Sequence, residues 1–256
     1  MAEFSTALII FFGGFLALLV PNGLLRNIFM LALPAIAGWQ LWSLGFGEYG
    51  AYEFFGQQLT LTRIDGLSRI FSVIFLIAIA LNIVYAWHVR DPVQQFAALV
   101  YPASALGGVL AGDLVTLFIF WELAAITSVL LIFASRNARA YAAGIRYLIW
   151  QITSGVLLLG GVVLYWRATG SLDFDKIISP EMGLDNPAVL LIFLGFGIKS
   201  AFPLLHNWVQ DAYPESTVTG TIVLSIFTTK LAVYSLARGF AGTELLVYIG
   251  AVMTAF

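Results

Sequence analysis

The chain is a succession of long apolar runs separated by short polar breaks. Runs of about 17 to 21 residues recur, and at 1.5 Å per residue each is long enough, as a helix, to cross about 30 Å of hydrocarbon. Eight reach full length: Phe4–Val20, Ile28–Leu44, Leu67–Trp87, Val93–Leu110, Leu114–Phe133, Tyr147–Trp166, Ala188–Leu205 and Val218–Leu236. A ninth, Leu245–Phe256, begins and stops after about 12 residues, too short to span. The first run has neither a positively charged leader nor a polar domain behind it, so it reads as a retained helix and not as a cleaved signal. The pattern predicts an all-α polytopic membrane protein of about eight transmembrane helices plus a partial ninth.

Most connectors are short. The two longer ones, Gly45–Ile64 and Arg167–Pro187, carry most of the glycine, acidic residues and turn formers, and counting crossings puts both on one side. The other side receives Arg26, Arg90, Arg136, Arg139 and Arg146, the last three in one short loop, against Arg63, Arg69, Arg167, Lys176 and Arg238 on the long-loop side. Raw counts tie. Because short loops weigh most in setting orientation, the Arg136–Arg146 loop is placed in the cytoplasm and the N-terminus outside.

Composition sharpens the class. Of 256 residues, 61% are hydrophobic and only 10% are Asp, Glu, Lys or Arg, where soluble domains run nearer a quarter charged. With a mean hydropathy of +0.94, lipid is the main solvent and a soluble enzyme is excluded. The net charge of -2 and the lack of any long basic run exclude a nucleic-acid partner. Zero cysteines remove disulfides, thiolate metal sites and Cys nucleophiles. Nothing in the sequence is recognisable as a site for a flavin, iron–sulfur cluster or quinone, so no cofactor is expected.

Within the spans the deep ionisable groups are few: Glu122 in the fifth, Lys199 in the seventh and Lys230 in the eighth. Such residues mark ion or substrate paths by default. Glu122 lies about 12 Å and Lys199 about 16 Å from one face, while Lys230, about 18 Å from the opposite face, comes to the same level in a core of about 30 Å. That coplanarity is necessary for a charge relay but does not make the helices neighbours. Each lysine has the alternative of snorkelling to the interface. Glu122 is too short to climb that far and needs protonation, a buried partner or water. A static Glu–Lys pair holding helices together is one reading. The other is a switch, since such a pair is worth about 4 kcal/mol at 4 Å and an effective dielectric of 20. Around Lys199 the run Gly197-Ile198-Lys199-Ser200-Ala201-Phe202-Pro203 brackets the lysine with glycine and proline, predicting a break at Pro203, either an interrupted helix beside an ion path or an ordinary kink. His206, just beyond, can carry protons near neutral pH or serve only as a hydrogen-bonded helix end. Ser225, Thr228 and Thr229 read equally as packing residues or water ligands.

These residues sit in motifs. The stretch from Gly112 through Trp121-Glu122 to Leu123 resembles the fifth-helix signature of the antiporter-like proton-translocating membrane subunits shared by respiratory complex I and the Mrp-type Na+/H+ antiporters. Gly197 to Tyr213 looks like that family's broken seventh helix and following loop. Thr228 to Leu236 is similar to its eighth-helix motif, closer to the Mrp-type D subunit, and Asp65-Gly66-Leu67-Ser68 matches a weaker element at the third helix. Where the family usually has Trp-Leu-Pro, this chain has Trp208-Val209-Gln210.

The resemblance implies three segments: a three-helix N-terminal part over 1–92, a five-helix proton-channel repeat over 93–240 with its seventh helix broken, and the start of a truncated second repeat over 241–256. It assigns proton transfer to Glu122, Lys199 and Lys230, to which the chemistry of histidine adds His206, in one component of a multi-subunit Na+/proton antiporter in a bacterial or archaeal inner membrane. The implied partners are other membrane subunits, protons, Na+ and the bilayer. The alternatives are a structural or truncated subunit without a complete ion path, and an antiporter-like subunit of a complex I-related oxidoreductase or membrane hydrogenase.

Overall fold

The computed structural model describes residues 5–54, 56–179 and 182–255. Its elements run α1 (Thr6–Leu19), α2 (Leu24–Ser43), β1 (Gly47–Phe54), β2 (Gln57–Ile64), α3 (Gly66–Tyr85), α4 (Pro92–Leu110), α5 (Leu114–Phe133), α6 (Ala138–Thr169), α7 (Pro187–Lys199), α8 (Asn207–Ala212), α9 (Val218–Gly239) and α10 (Glu244–Ala255). The eight apolar runs are α1 to α7 and α9, and the partial ninth is α10; Phe4 and Phe256 lie outside the described residues. Six helices, α2 to α6 and α9, are long and apolar enough to cross a membrane, while α1, α7 and α10 are shorter apolar helices.

α4 is the axis of the bundle. Every position from Ala97 to Leu110 is buried, and α1, α3, α5 and α9 pack around it. Exposed large apolar side chains such as Trp39, Trp42, Ile70, Ile126 and Ile149 cover the outside, the inverse of a water-soluble surface and the pattern expected against lipid. Backbones approach closely between α6 and α7: a Cβ on Gly161 would stand 2.8 Å from the Ala188 carbonyl, and one on Gly195 2.9 Å from the Ser154 carbonyl. Small residues at such contacts allow the packing that drives helix association in lipid.

Two expectations need correction. The Gly45–Ile64 connector is an antiparallel hairpin, with β1 paired to β2 from Gly47 opposite Ile64 to Phe54 opposite Gln57. A sequence dominated by membrane-length runs hides so short a polar and aromatic alternation, which then reads as a loop. Arg139 and Arg146 lie on α6, not in a loop: α6 starts at Ala138, where the Asn137 side chain accepts from the Ala140 amide at 2.8 Å. The alanine-rich start continues the helix out of the hydrocarbon, and its 32 residues span about 48 Å. Both arginines, with Arg136, find carboxylates there: Arg136 with Asp91, Arg139 with Glu215, and Arg146 bidentate with Asp211 at 2.6 and 2.7 Å.

The two long connectors meet on the opposite face. The Thr60 amide donates to Asp113, the cap of α5, at 2.8 Å, and the Leu114 amide donates to the Leu172 carbonyl at 2.9 Å. Asp65 caps α3 in a reciprocal box with Ser68 and receives Arg238, from the last turn of α9, at 2.6 Å. Arg238 is buried, and Asp175 and Arg63 complete the cluster.

Burial alone disfavours the Asp65 carboxylate, but the Ser68 amide and the Arg238 guanidinium outweigh it and hold its pKa below the ordinary aspartate value. A lowered folded-state pKa contributes stability that is complete above the unfolded value of about 4 and is lost as pH falls through the lowered one. Asp65→Ala is therefore expected to cost about 1 kcal/mol through the lost cap alone. Asp65→Asn, which keeps the cap and loses the charge, should destabilise at pH 7 and match the parent once acid has discharged it. Thermal unfolding of the assembled protein in detergent across that pH range checks both.

Candidate functional site

The site forms where α7 stops. Asn186 caps its start, its side chain accepting from the Ala188 amide at 2.9 Å, and the helix ends at Lys199, before Pro203 is reached. The ending is a Schellman turn. Ala201 takes the left-handed conformation at φ 63°, its amide donates to Ile198, and the Phe202 amide reaches back to Gly197 at 3.0 Å. Glycine usually fills that position, and an alanine there is strained by roughly 1–2 kcal/mol. The chain then stays non-helical through Pro203 and Leu204, the latter also at positive φ. α8 follows, and from it Trp208 is buried with its indole N–H donating to the Ile198 carbonyl at 2.9 Å. The Trp208-Val209-Gln210 departure thus lies in a short helix that seals a carbonyl at the break.

Lys199 closes α7 at the negative end of its dipole, a favourable place for an ammonium. The residue is 1% exposed, its Nζ donates to the Trp121 carbonyl of α5 at 2.8 Å, and it lies 4.3 Å from the centre of the Trp121 ring. Trp121 is itself fixed: its indole N–H donates to Ser154 Oγ at 3.0 Å, and Ser154 donates to the Gly195 carbonyl at 2.7 Å, linking α5, α6 and α7.

Glu122 is half-buried next to Trp121, and its carboxylate rests on Gly155 of α6, where a Cβ would overlap Oε1. Oε1 has no hydrogen-bond partner among the described residues. Glu122 and Lys199 interact electrostatically, yet no ion-pair contact joins them among the described residues. The fold brings these two expected residues together and leaves the other two apart from them. Lys230 is exposed on α9, its Nζ donating to the Ser225 carbonyl at 2.8 Å and to Thr229 at 3.2 Å, because Thr228, Leu231 and Tyr234 occupy the face turned to the bundle. His206 precedes α8 without a capping bond and lines an open groove with Pro203, Gln210 and Met253.

Two contributors are invisible to a search confined to ionisable residues: Ser154, which holds the Trp121 indole, and Gly155, on which the Glu122 carboxylate rests. The available signal is a polar and a side-chain-free position side by side within the sixth apolar run. Thr228, open in sequence between packing and ligand, belongs to a buried hydroxyl cluster with Tyr101, at 2.5 Å, and Tyr147.

A polytopic bundle with a lysine buried at the end of a broken helix beside an intramembrane glutamate defines a class, the antiporter-like membrane subunits. The chain belongs to the family described as NADH:quinone oxidoreductase/Mrp antiporter, TM, whose model matches residues 111–254. It is 31% identical over 196 residues to a probable K(+)/H(+) antiporter component of Rhizobium meliloti, covering 71% of this chain and 20% of that protein. It is 28% identical over 236 residues to an NADH-quinone oxidoreductase component of Desulfitobacterium hafniense, covering 88% and 46%. Among solved structures, a chain of the Mrp complex from Dietzia superposes with a TM-score of 0.77 at 22% identity over 91% of this chain and 27% of that one, a likeness of fold. The chain spans less than half the length of each of these three proteins. It is an integral multi-pass membrane protein.

Ser154→Ala is expected to destabilise the assembled protein by about 1–3 kcal/mol, because it leaves the buried Trp121 indole N–H unpaired and takes a second donor from the Gly195 carbonyl. Combined with Trp121→Phe, which removes the same donor, the loss should be less than additive. Thermal melts of the two single variants and the double variant measure the coupling.

Proposed function

We propose that this chain provides a proton half-channel of a cation/proton antiporter, with Lys199 as the group that binds and releases the transported proton. The observation that carries this reading is the buried Lys199 ammonium, held on a backbone carbonyl at the break of α7 with an unpaired Glu122 oxygen on the adjoining residue of α5. A lysine fixed by a carboxylate would be a permanent pair; one held by a neutral carbonyl can lose its proton without leaving a strong partner behind. The reaction is vectorial and makes or breaks no covalent bond in substrate. One charge crossing 100 mV carries about 2.3 kcal/mol, comparable with the pair energies involved.

In this reading Glu122 tunes the lysine by approaching or withdrawing. His206 exchanges protons near the break. Lys230, exposed on α9, hands charge on to a neighbouring membrane segment or subunit. The five-helix unit lies within 93–240, preceded by 1–92 and followed over 241–256 by the start of a second repeat. Na+ is the exchanged cation, the membrane is a bacterial or archaeal inner membrane, and the N-terminus lies outside with the arginine-rich end of α6 in the cytoplasm. The outward-facing Lys230 favours a second reading as well, in which the chain by itself lacks a complete ion path and supplies only one half.

Lys199→Ala in the complete complex, reconstituted in vesicles, is expected to lower proton transport at least tenfold while assembly is kept; undiminished transport would sink the assignment. Glu122→Gln should shift the pH dependence of transport toward lower pH, because removing a nearby anion disfavours the ammonium form. Glu122→Asp should shift it less. If the profile stays in place while only the yield of assembled complex falls, Glu122 is helix glue.

A further inference from the structure

Two side chains where α5 meets α6 hold buried polar atoms without a partner among the described residues. One is Glu122, through Oε1; the other is Gln151, fully buried, with both carboxamide atoms unpaired. Leaving a buried donor or acceptor unmet is expensive, which makes a fully buried glutamine a poor packing residue and a good holder of water. Its position is specific. Tyr147, Gln151 and Gly155 follow one another at single-turn spacing along the buried stripe of α6, steps of about 6 Å. α5 runs antiparallel beside it, with Glu122 against Gly155 and Ser128 against Tyr147, so Gln151 falls midway, facing the level of Ala125.

Below Gln151 the hydroxyls are already connected. Tyr147 Oη and Ser128 Oγ are 2.8 Å apart, Tyr147 also interacts with Thr228, and Thr228 Oγ1 is 2.5 Å from Tyr101 Oη. The Thr228 amide donates to Tyr101 Oη at 2.8 Å, and the Leu224 carbonyl accepts from Tyr213 at 2.9 Å, so two tyrosines are inserted at one turn of α9. Hydroxyls donate and accept at once, as a proton relay requires. Next to this cluster in sequence, Arg146 meets Asp211 at the surface. Above it, about 12 Å of helix separates the levels of Tyr147 and Gly155, far beyond a hydrogen bond.

We propose that Gln151 is the positioning residue that bridges this gap, holding water in line between the Tyr147 hydroxyl and the Glu122 carboxylate, and that the α6 stripe is the route by which protons reach Glu122 and Lys199 from the Arg146–Asp211 face. The carboxamide supplies an oriented acceptor and an oriented donor on opposite sides, which fixes the direction of a water bridge without taking up a proton itself. Gly155, having no side chain, leaves the end of the route open to the carboxylate. This inference rests on the reading that the pair carries protons.

The test uses the complete complex in proteoliposomes, with proton flux and its H2O/D2O ratio measured on assembled protein. Gln151→Met, close in volume and apolar, is expected to slow transport tenfold or more and to raise the solvent isotope effect. Gln151→Glu, which keeps two polar atoms at the same reach, should stay within threefold of the parent. Tyr147→Phe, which removes one hydroxyl, should reproduce the Met phenotype without adding to it. If Lys199→Ala abolishes transport while Gln151→Met and Tyr147→Phe keep the parental rate and isotope effect, the route is wrong and the pair stands. If Lys199→Ala itself transports normally, the underlying reading has failed. A loss in Gln151→Met that Gln151→Glu does not recover, with Tyr147→Phe unaffected, makes Gln151 a packing residue and overturns the proposal. Should Gln151→Met fail to assemble, Tyr147→Phe decides alone: a parental rate and isotope effect overturn it, and a tenfold loss with a raised isotope effect upholds it.

Discussion

An ammonium in the middle of a membrane protein must be solvated by the protein, and much of this structure follows from how Lys199 is solvated. A full carboxylate contact would satisfy it and also lock it. Here a backbone carbonyl and an indole face take that role, with the carboxylate kept close but out of contact. The helix must stop at the lysine for this to hold, because the last turn of α7 brings its carbonyl dipoles to bear on the charge. Stopping a helix inside the bundle frees backbone groups in turn. The Schellman turn satisfies amides at Ala201 and Phe202, and Trp208 satisfies a carbonyl. The irregular backbone is tolerated because it is surrounded by protein and not by lipid.

The two faces of the bundle manage charge differently. On the hairpin face, Asp65, Arg63, Asp175 and Arg238 form a partly buried network tied to helix caps, so that the entry of α3 and the exit of α9 are fixed together. On the opposite face, Arg136, Arg139 and Arg146 make separate exposed pairs with Asp91, Glu215 and Asp211. Exposed pairs of that kind contribute little to stability each, and salt weakens them. The first face is built to hold, and the second, which carries α8 and the end of the hydroxyl cluster, is held more loosely.

Much of this is legible in the sequence because lipid imposes a simple code. Apolar run length marks the helices, and the scarcity of charge within them singles out Glu122 and Lys199, which the fold does bring together. Gly197 and Pro203 signal the break, though the helix ends at Lys199 because the left-handed turn at Ala201 acts before the proline can. Other features depend on pairing between distant segments. The hairpin carries too few residues to register beside runs of twenty apolar ones, and the burial of Gln151 depends on which stripe of α6 meets α5. Depth along a helix can be counted from its ends, but azimuth cannot, which is why counting alone sets Lys230 beside the pair while α9 turns it outward.

The glycine contacts of α6 have a consequence for motion. Gly161 against Ala188 and Gly195 against Ser154 interlock α6 and α7 at backbone distance, so neither can slide a turn along the other without driving a side chain into a main chain. Lys199 and the glycine seat of Glu122 therefore belong to one rigid frame. Trp121 of α5 is pinned to that frame twice, through its carbonyl by the lysine and through its indole N–H by Ser154. What is left free is the set of torsions within the Glu122 side chain. The separation of the two charges is then a rotameric coordinate, set by side-chain torsions, and not a helical one.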